Sequence, residues 1–192
     1  MCDTTALRYF ALVGQFDLLV LAVGGRVLTP RTVFDDEDDV DTPGVLVSEL
    51  GASERYHRLR SARGAEATDR WNRLRGLRRR DDIEILDLAG DEEAAYAELT
   101  SVDLARRYGL AVPLGPGEAA VITIATHRNM RAALDEYAGR SILDDRSPGH
   151  PVVTTRDLVR IAAASGLMAR TEAEIVYADM LAEGYRGPQS LW

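Results

Sequence analysis

Gly24-Gly25-Arg26-Val27-Leu28-Thr29-Pro30-Arg31-Thr32 is the stretch that decides the fold. The paired glycines end a helical pattern, and Arg26 to Leu28 read as a short strand closing at Pro30. Pro30 then stands at a first helical position and opens a helix expected through Asp39. A strand held between two helices is the unit of an α/β domain. Towards the N-terminus, Thr4 to Val23 is helical, with Leu7, Phe10 and Leu12 separated from Leu18, Leu19 and Leu21 by Gly14-Gln15. Towards the C-terminus, Val45 to Arg80 predicts two Arg-rich helices broken near Gly64, and Ile83 to Leu88 alternates like a strand. Asp91 to Tyr108 reads as a helix broken near Thr100-Ser101. Gly115-Pro116-Gly117-Glu118 opens another, and its residues Ala119 to Ala125 are apolar nearly all round, the mark of a buried helix. Ser141-Ile142-Leu143 reads as a strand ending in Asp144-Asp145, and Val152-Val153 as another. Two helices close the chain. One runs from Thr155 to Gly166. The other has a capping-box pattern at Thr171 to Glu174, an apolar stripe of Ile175, Ala178, Leu181 and Ala182, and a stop at Gly184. Alternating strands and helices predict an α/β fold with a mainly parallel sheet, and neither a repeat nor a linker divides residues 1–192.

The 192 residues suit one domain, and 46% apolar with 28% charged residues is the composition of a globular chain. One cysteine, Cys2, excludes a disulfide scaffold and a CxxC zinc site. The longest apolar run, Leu18 to Val23, is far short of a membrane span, and Met1-Cys2-Asp3 does not open like a signal peptide. A cytoplasmic protein with no membrane partner is the expectation. All 23 basic residues are Arg, so a P-loop lysine and Schiff-base chemistry are excluded. The net charge of -8 is unevenly spread: residues 54–80 carry +7 and the remainder -15.

In a parallel α/β sheet, ligands sit beyond the carboxyl ends of the strands. Asp3, Asp36, Glu118 and the pair Asp144-Asp145 fall at such ends or at helix starts. Converging carboxylates raise each other's pKa unless a cation neutralises them, and oxygen-only ligands suit Mg²⁺ or Mn²⁺. Each acid also has a structural explanation. Glu118 suits a helix N-terminus through the macrodipole alone, Asp35 to Asp39 suits a solvated face, and Asp144-Asp145 suits a turn.

Asp3-Thr4-Thr5-Ala6-Leu7, followed by Thr29-Pro30-Arg31-Thr32-Val33-Phe34-Asp35-Asp36, resembles the opening of the PIN-domain nucleases. Leu114-Gly115-Pro116-Gly117-Glu118-Ala119-Ala120 is similar to that family's Gly-Glu helix, and Ile142-Leu143-Asp144-Asp145-Arg146 to its Asp-Asp-Arg element. The tail from Thr154 to Tyr185 resembles one bacterial branch of the family. The resemblance implies a three-layer α/β/α domain with an Arg-rich helical insertion at about 45–80. It also implies a Mg²⁺- or Mn²⁺-dependent endoribonuclease, the toxin of a VapC-type toxin–antitoxin pair. Asp3, Asp36, Glu118 and Asp145 would be catalytic and would hold the metal together with Asp144. The partners implied are RNA and an antitoxin protein, with a homodimer as a further expectation. The alternative is a catalytically silent PIN-like module that binds RNA or a protein. Only Met1 and Cys2 precede Asp3, where the family has a full strand.

Aromatic side chains interleave with arginines between residues 54 and 80, the combination that grips phosphates and stacks on unpaired bases. Arg70, Trp71, Arg73, Arg78, Arg79 and Arg80 are the RNA-binding candidates, and a helical pair whose arginines are merely solvated is the equal alternative. Gly115-x-Gly117-x-x-Ala120, with Asp135 at a tolerable distance, matches a dinucleotide fingerprint only loosely, and Pro113 and Pro116 count against it. His57, His127 and His150 have no metal-ligand spacing.

Overall fold

The first helix is nucleated by an acid: the Asp3 carboxylate accepts from the Ala6 N–H at 3.1 Å and caps α1 (Thr4–Leu12). The computed structural model describes residues 1–34, 49–62 and 64–192. Gly14, at φ +73°, turns the chain into α2 (Phe16–Ala22). β1 (Val27–Pro30) passes directly into α3 (Arg31–Phe34), the expected helix as far as the described residues extend. The Arg-rich segment forms α4 (Glu49–Ser61) and α5 (Ala65–Gly76), parted at Gly64 as the sequence predicts, with a 3₁₀ turn over Leu77–Arg79. β2 (Ile83–Leu86) follows, then α6 (Asp91–Leu99) and α7 (Val102–Arg107), divided at Thr100-Ser101 where the Ser101 hydroxyl caps α7. The remaining elements are α8 (Pro116–His127), β3 (Ala132–Ala133), α9 (Tyr137–Arg146), β4 (Val152–Val153), α10 (Thr155–Ala164) and α11 (Arg170–Ala182).

The strands form two parallel pairs, β1 with β2 (Val27 opposite Ile83) and β3 with β4 (Ala132 opposite Val152). Cys2 joins them. Its N–H donates to Leu28 O at 2.7 Å, its carbonyl accepts from Thr29 Oγ1 at 3.0 Å, and it bridges Ala133 in parallel. The lateral order is therefore β2, β1, Cys2, β3, β4. The chain leaves Cys2 to one side through β1 and β2, then crosses to the other for β3 and β4, so the order reverses between Cys2 and β3. A reversal of this kind is where α/β sheets open a crevice beyond the strand ends.

Two apolar clusters flank these strands. Ala133 packs with Leu7, Phe10, Leu19, Val159 and Tyr177, whereas its neighbours Ala132 and Leu134 pack with Val121, Ile122 and Leu143. Alternate residues of one extended segment thus face opposite cores, the period-2 geometry of a strand covered on both sides. α8 is buried from Ala119 to Ala125, as its all-round apolar sequence predicts. Among the described residues, no helix is long and apolar enough to cross a membrane.

One ion pair ties α8 to α6. Glu92, 7% exposed at its side chain, accepts from Arg128 Nε and Nη2, both at 2.7 Å, and from the Ala89 N–H at 2.9 Å. The Arg128 hydrogen bonds hold the Glu92 carboxyl below its ordinary pKa. Its contribution is therefore present above the ordinary glutamate pKa and disappears as pH falls through the depressed folded value. Glu92→Gln is expected to cost about 2 kcal/mol at pH 7, below the usual range for a buried pair because Arg128 is partly solvated. Urea unfolding at pH 7 and at successively lower pH checks this: the difference should shrink as pH falls below the ordinary glutamate range, and a cost that does not change with pH would assign Glu92 to packing instead.

Two sequence readings are corrected. Ser141-Ile142-Leu143 is not a strand but the middle of α9, so Asp144 and Asp145 lie exposed in that helix's last turn rather than at a strand end. α11 begins at Arg170, where the Glu172 carboxylate reaches the Ala169 N–H at 3.4 Å, and not with a Thr171–Glu174 box. Its buried stripe is Ala173, Val176, Tyr177 and Met180, and Ile175 is 62% exposed. The buried phase follows Tyr177, whose hydroxyl donates to Pro188 O at 2.7 Å and whose ring meets Tyr185 edge-on at 5.9 Å.

Candidate active site

The strand ends beside the reversal carry two acids, one buried and one half-buried. Asp3 follows Cys2 and is 5% exposed, and its N–H donates to Ala133 O at 3.3 Å. Asp135 follows β3 by two residues on the neighbouring strand. Its Oδ1 accepts from the Thr155 N–H at 3.0 Å and the Tyr185 hydroxyl at 2.5 Å, and its Oδ2 accepts from Thr155 Oγ1 at 2.5 Å. Each acid also faces a helix start, Asp3 that of α1 and Asp135 that of α10, where the unpaired N–H groups and the macrodipole favour negative charge.

Burial works the other way. It pushes the Asp135 carboxyl above its ordinary pKa, against the lowering influence of Thr155, Tyr185 and the more distant Arg140. The same environment raises the Cys2 thiol to about 11, chiefly by burial, with Asp3 and Asp135 both adding to the rise. A thiol held neutral in this way is no nucleophile at physiological pH.

Glu118 comes from the first turn of α8, which Gly115 and Pro116 start. Its Oε1 accepts from the Gly139 N–H at 3.1 Å, four residues after Asp135. The fit requires glycine, because a Cβ on Gly139 would lie 2.1 Å from that oxygen. At the same end, Thr32 Oγ1 donates to Pro116 O at 3.4 Å, so α3 abuts the start of α8. Asp36 lies outside the described residues, two positions beyond the end of α3.

The structure therefore places Asp3 and Asp135 at neighbouring strand ends and Glu118 against Gly139, four residues beyond Asp135, whereas Asp144 and Asp145 lie in the last turn of α9. Asp145 accepts from the Tyr108 hydroxyl beyond α7. Asp135 was not among the metal-site acids expected from the sequence. Its signal was Ala132-Ala133-Leu134, an apolar run before an acid, but those residues favour helices and hid the strand.

Oxygen-only donors of this kind fit a hard divalent cation. Among the described residues, no three Asp, Glu, His or Cys side chains stand close enough to form a ready-made cage. Mg²⁺ does not require one, since it keeps several waters and takes one or two protein carboxylates together with substrate phosphates.

The basic arm has a clear structural use. Arg70 pairs with Glu183 at 2.6 Å and Glu66 at 2.8 Å. Arg73 Nη1 donates to Leu12 O at 2.7 Å and so caps the C-terminal end of α1. Arg78 reaches Glu54 at 3.1 Å and Phe34 O at 3.3 Å. Arg80 bonds Asp82 at 2.5 Å and Asp17 at 2.6 Å, with its guanidinium over the Phe16 ring. Arg79 is exposed and makes no ion pair among the described residues, and Trp71 is half-buried beneath Arg75. Compared with protein-family profiles, characterised proteins and solved structures, the chain matches none.

Proposed function

We propose that this chain is a three-layer α/β/α domain of the PIN type and a Mg²⁺- or Mn²⁺-dependent endoribonuclease working at Asp3, Asp135 and Glu118. One observation carries the reading: a buried carboxylate, Asp3, and a half-buried one, Asp135, stand at neighbouring parallel strand ends, at the point where strand order reverses, and desolvation makes the charge of Asp135 costly. An acid kept in such a place at a cost in stability fits a group that must meet a cation. The three-layer reading rests on the two apolar cores that the alternate residues of β3 and its neighbours face.

The residues have separable tasks. Asp135, fixed at both oxygens by Thr155 and Tyr185, keeps about one acceptor site, on Oδ2, for a cation. Asp3 is fixed in turn by the Ala6 N–H, and Glu118 by the Gly139 N–H. A bound Mg²⁺ or Mn²⁺ would lower the pKa of an attacking water and offset charge on the scissile phosphate. Asp36 stays a candidate for the same cation on its sequence alone. Arg79 is the arm's candidate contact for an RNA phosphate, and an acidic strand-end face suits the basic segment that an antitoxin would supply.

Labelled single-stranded RNA incubated with Mn²⁺, Mg²⁺ or EDTA tests the activity. Cutting with either ion and none with EDTA is the expected result, and intact RNA under all three conditions would remove the catalytic reading. A silent binding module is the second reading, favoured by the structural hydrogen bonds that Asp3 and Asp135 already make as helix-start acceptors. It expects RNA or protein binding without cutting.

A further inference from the structure

Away from the strand-end acids, a cavity of about 590 Å³ opens between α1, α4, α5 and the end of α11. Its size is ordinary for a small-molecule site (about 300–1,000 Å³). Arg8, Ser53, His57, Arg60, Arg70 and Glu183 line it. Ser53 and His57 are each more than nine-tenths buried, at 9% and 7% exposure. Ser53 Oγ, His57 Nε2 and the Arg8 Nε–H are all buried with no hydrogen-bond partner among the described residues. Native interiors pair almost all such groups, so three of them around one cavity point to a ligand that completes them.

The charge says which ligand. Arg70 is neutralised by Glu183 and Glu66. Arg8 makes no ion pair among the described residues. Among the described residues Arg60 is held only by Tyr56, whose hydroxyl accepts from it and whose ring lies 5.0 Å from its guanidinium. The cavity is thus a positive pocket in a protein of net charge -8. Burial, followed by Arg8, Arg70 and Arg60, lowers the His57 imidazole pKa, and Glu183 alone opposes them. A planar carboxylate would use one arginine fork. Donors arriving from α1 and α4 in several directions suit a tetrahedral anion instead.

We propose that this cavity binds a phosphoryl group through Arg8, Ser53, His57 and Arg60. The group could be that of a free mononucleotide or the 5′ end of an RNA, and the site stands independently of the nuclease reading. The test uses the full chain without divalent metal. His57 ring resonances and binding heats are followed with inorganic phosphate, AMP, and one short RNA carrying either a 5′-phosphate or a 5′-hydroxyl. Phosphate should shift the His57 signals and raise its pKa. Affinity should fall about tenfold in Arg8→Gln and in Arg60→Gln, the loss of one charge-assisted contact each. Arg60 is exposed, so its variant does not threaten the fold. AMP binding as tightly as the RNA marks a nucleotide site. Preference for the 5′-phosphorylated RNA over both AMP and the hydroxyl form marks an RNA end. Unmoved His57 signals with every phosphate, or equal affinity in the wild type and both arginine variants, would overturn the proposal.

Discussion

Asp135→Asn should reduce metal-dependent RNA cleavage by about 100-fold or more while leaving the protein as stable as the wild type or more stable. The two effects separate because of how the side chain is held. An asparagine Oδ1 can still accept from the Thr155 N–H and the Tyr185 hydroxyl, and its Nδ2 can donate to Thr155 Oγ1, which now accepts. What disappears is the charge. Because burial raises the Asp135 pKa in the fold, the wild type loses stability as pH rises from the ordinary aspartate value through the raised one. Asparagine has no such loss, so the variant should match the wild type below about pH 4 and exceed it near pH 8. Urea unfolding at both pH values, alongside RNA cleavage, checks the pair of effects. A variant that is less stable at pH 8 but still cuts RNA would make Asp135 a structural acid. Loss of function with gain of stability is the pattern of a group retained for its chemistry.

Gly139→Ala should lower cleavage about 10- to 100-fold, the usual cost of removing a group that orients a ligating side chain. A methyl at this position would stand 2.1 Å from Glu118 Oε1, 2.6 Å from Cδ and 2.8 Å from Cγ. All three atoms belong to a flexible side chain, so Glu118 can swing away and the backbone need not. The alanine variant should therefore fold with little change in melting temperature while Glu118 loses its anchor on the Gly139 N–H. Glu118→Gln keeps that anchor and removes the charge. If the carboxylate and its placement both matter, the two variants should be similarly impaired. Full activity in Gly139→Ala would show that Glu118 has no fixed role at the site.

The helices were legible because their signals are local. Gly14, Gly64 and Thr100-Ser101 as breaks, and Pro116 at a first position, each act within a few residues. The sheet was less so. β3 is two alanines, and nothing in Ala-Ala favours a strand until Cys2 and β4 pair with it from either side. Ile142 made the wrong segment look extended, and the expected acids Asp144 and Asp145 followed that misplacement. The proposed acid, Asp135, was visible only as a partner for a glycine pattern that carried little weight. Its role depends on Thr155 and Tyr185, 20 and 50 residues away, and no local pattern encodes such a meeting. α11 failed for the same reason: Tyr177 turns inward to meet Pro188 and Tyr185 in the tail, which rotates the buried stripe off Ile175. The charge imbalance of the arm was real in the sequence. Its main structural use is to fasten α5 and the residues just after it to α1, α2, α4 and the end of α11, through partners as far apart as Arg70 and Glu183.

Direct titration of Mn²⁺, read as loss of the free-ion electron paramagnetic resonance signal, tests the central claim that the strand-end acids hold a divalent cation. The wild type should bind Mn²⁺, Mg²⁺ should displace it, and Asp135→Asn, shown to be folded, should lose that binding. A wild type that leaves the Mn²⁺ signal unchanged, or an Asp135→Asn protein that binds the ion equally well, would contradict it.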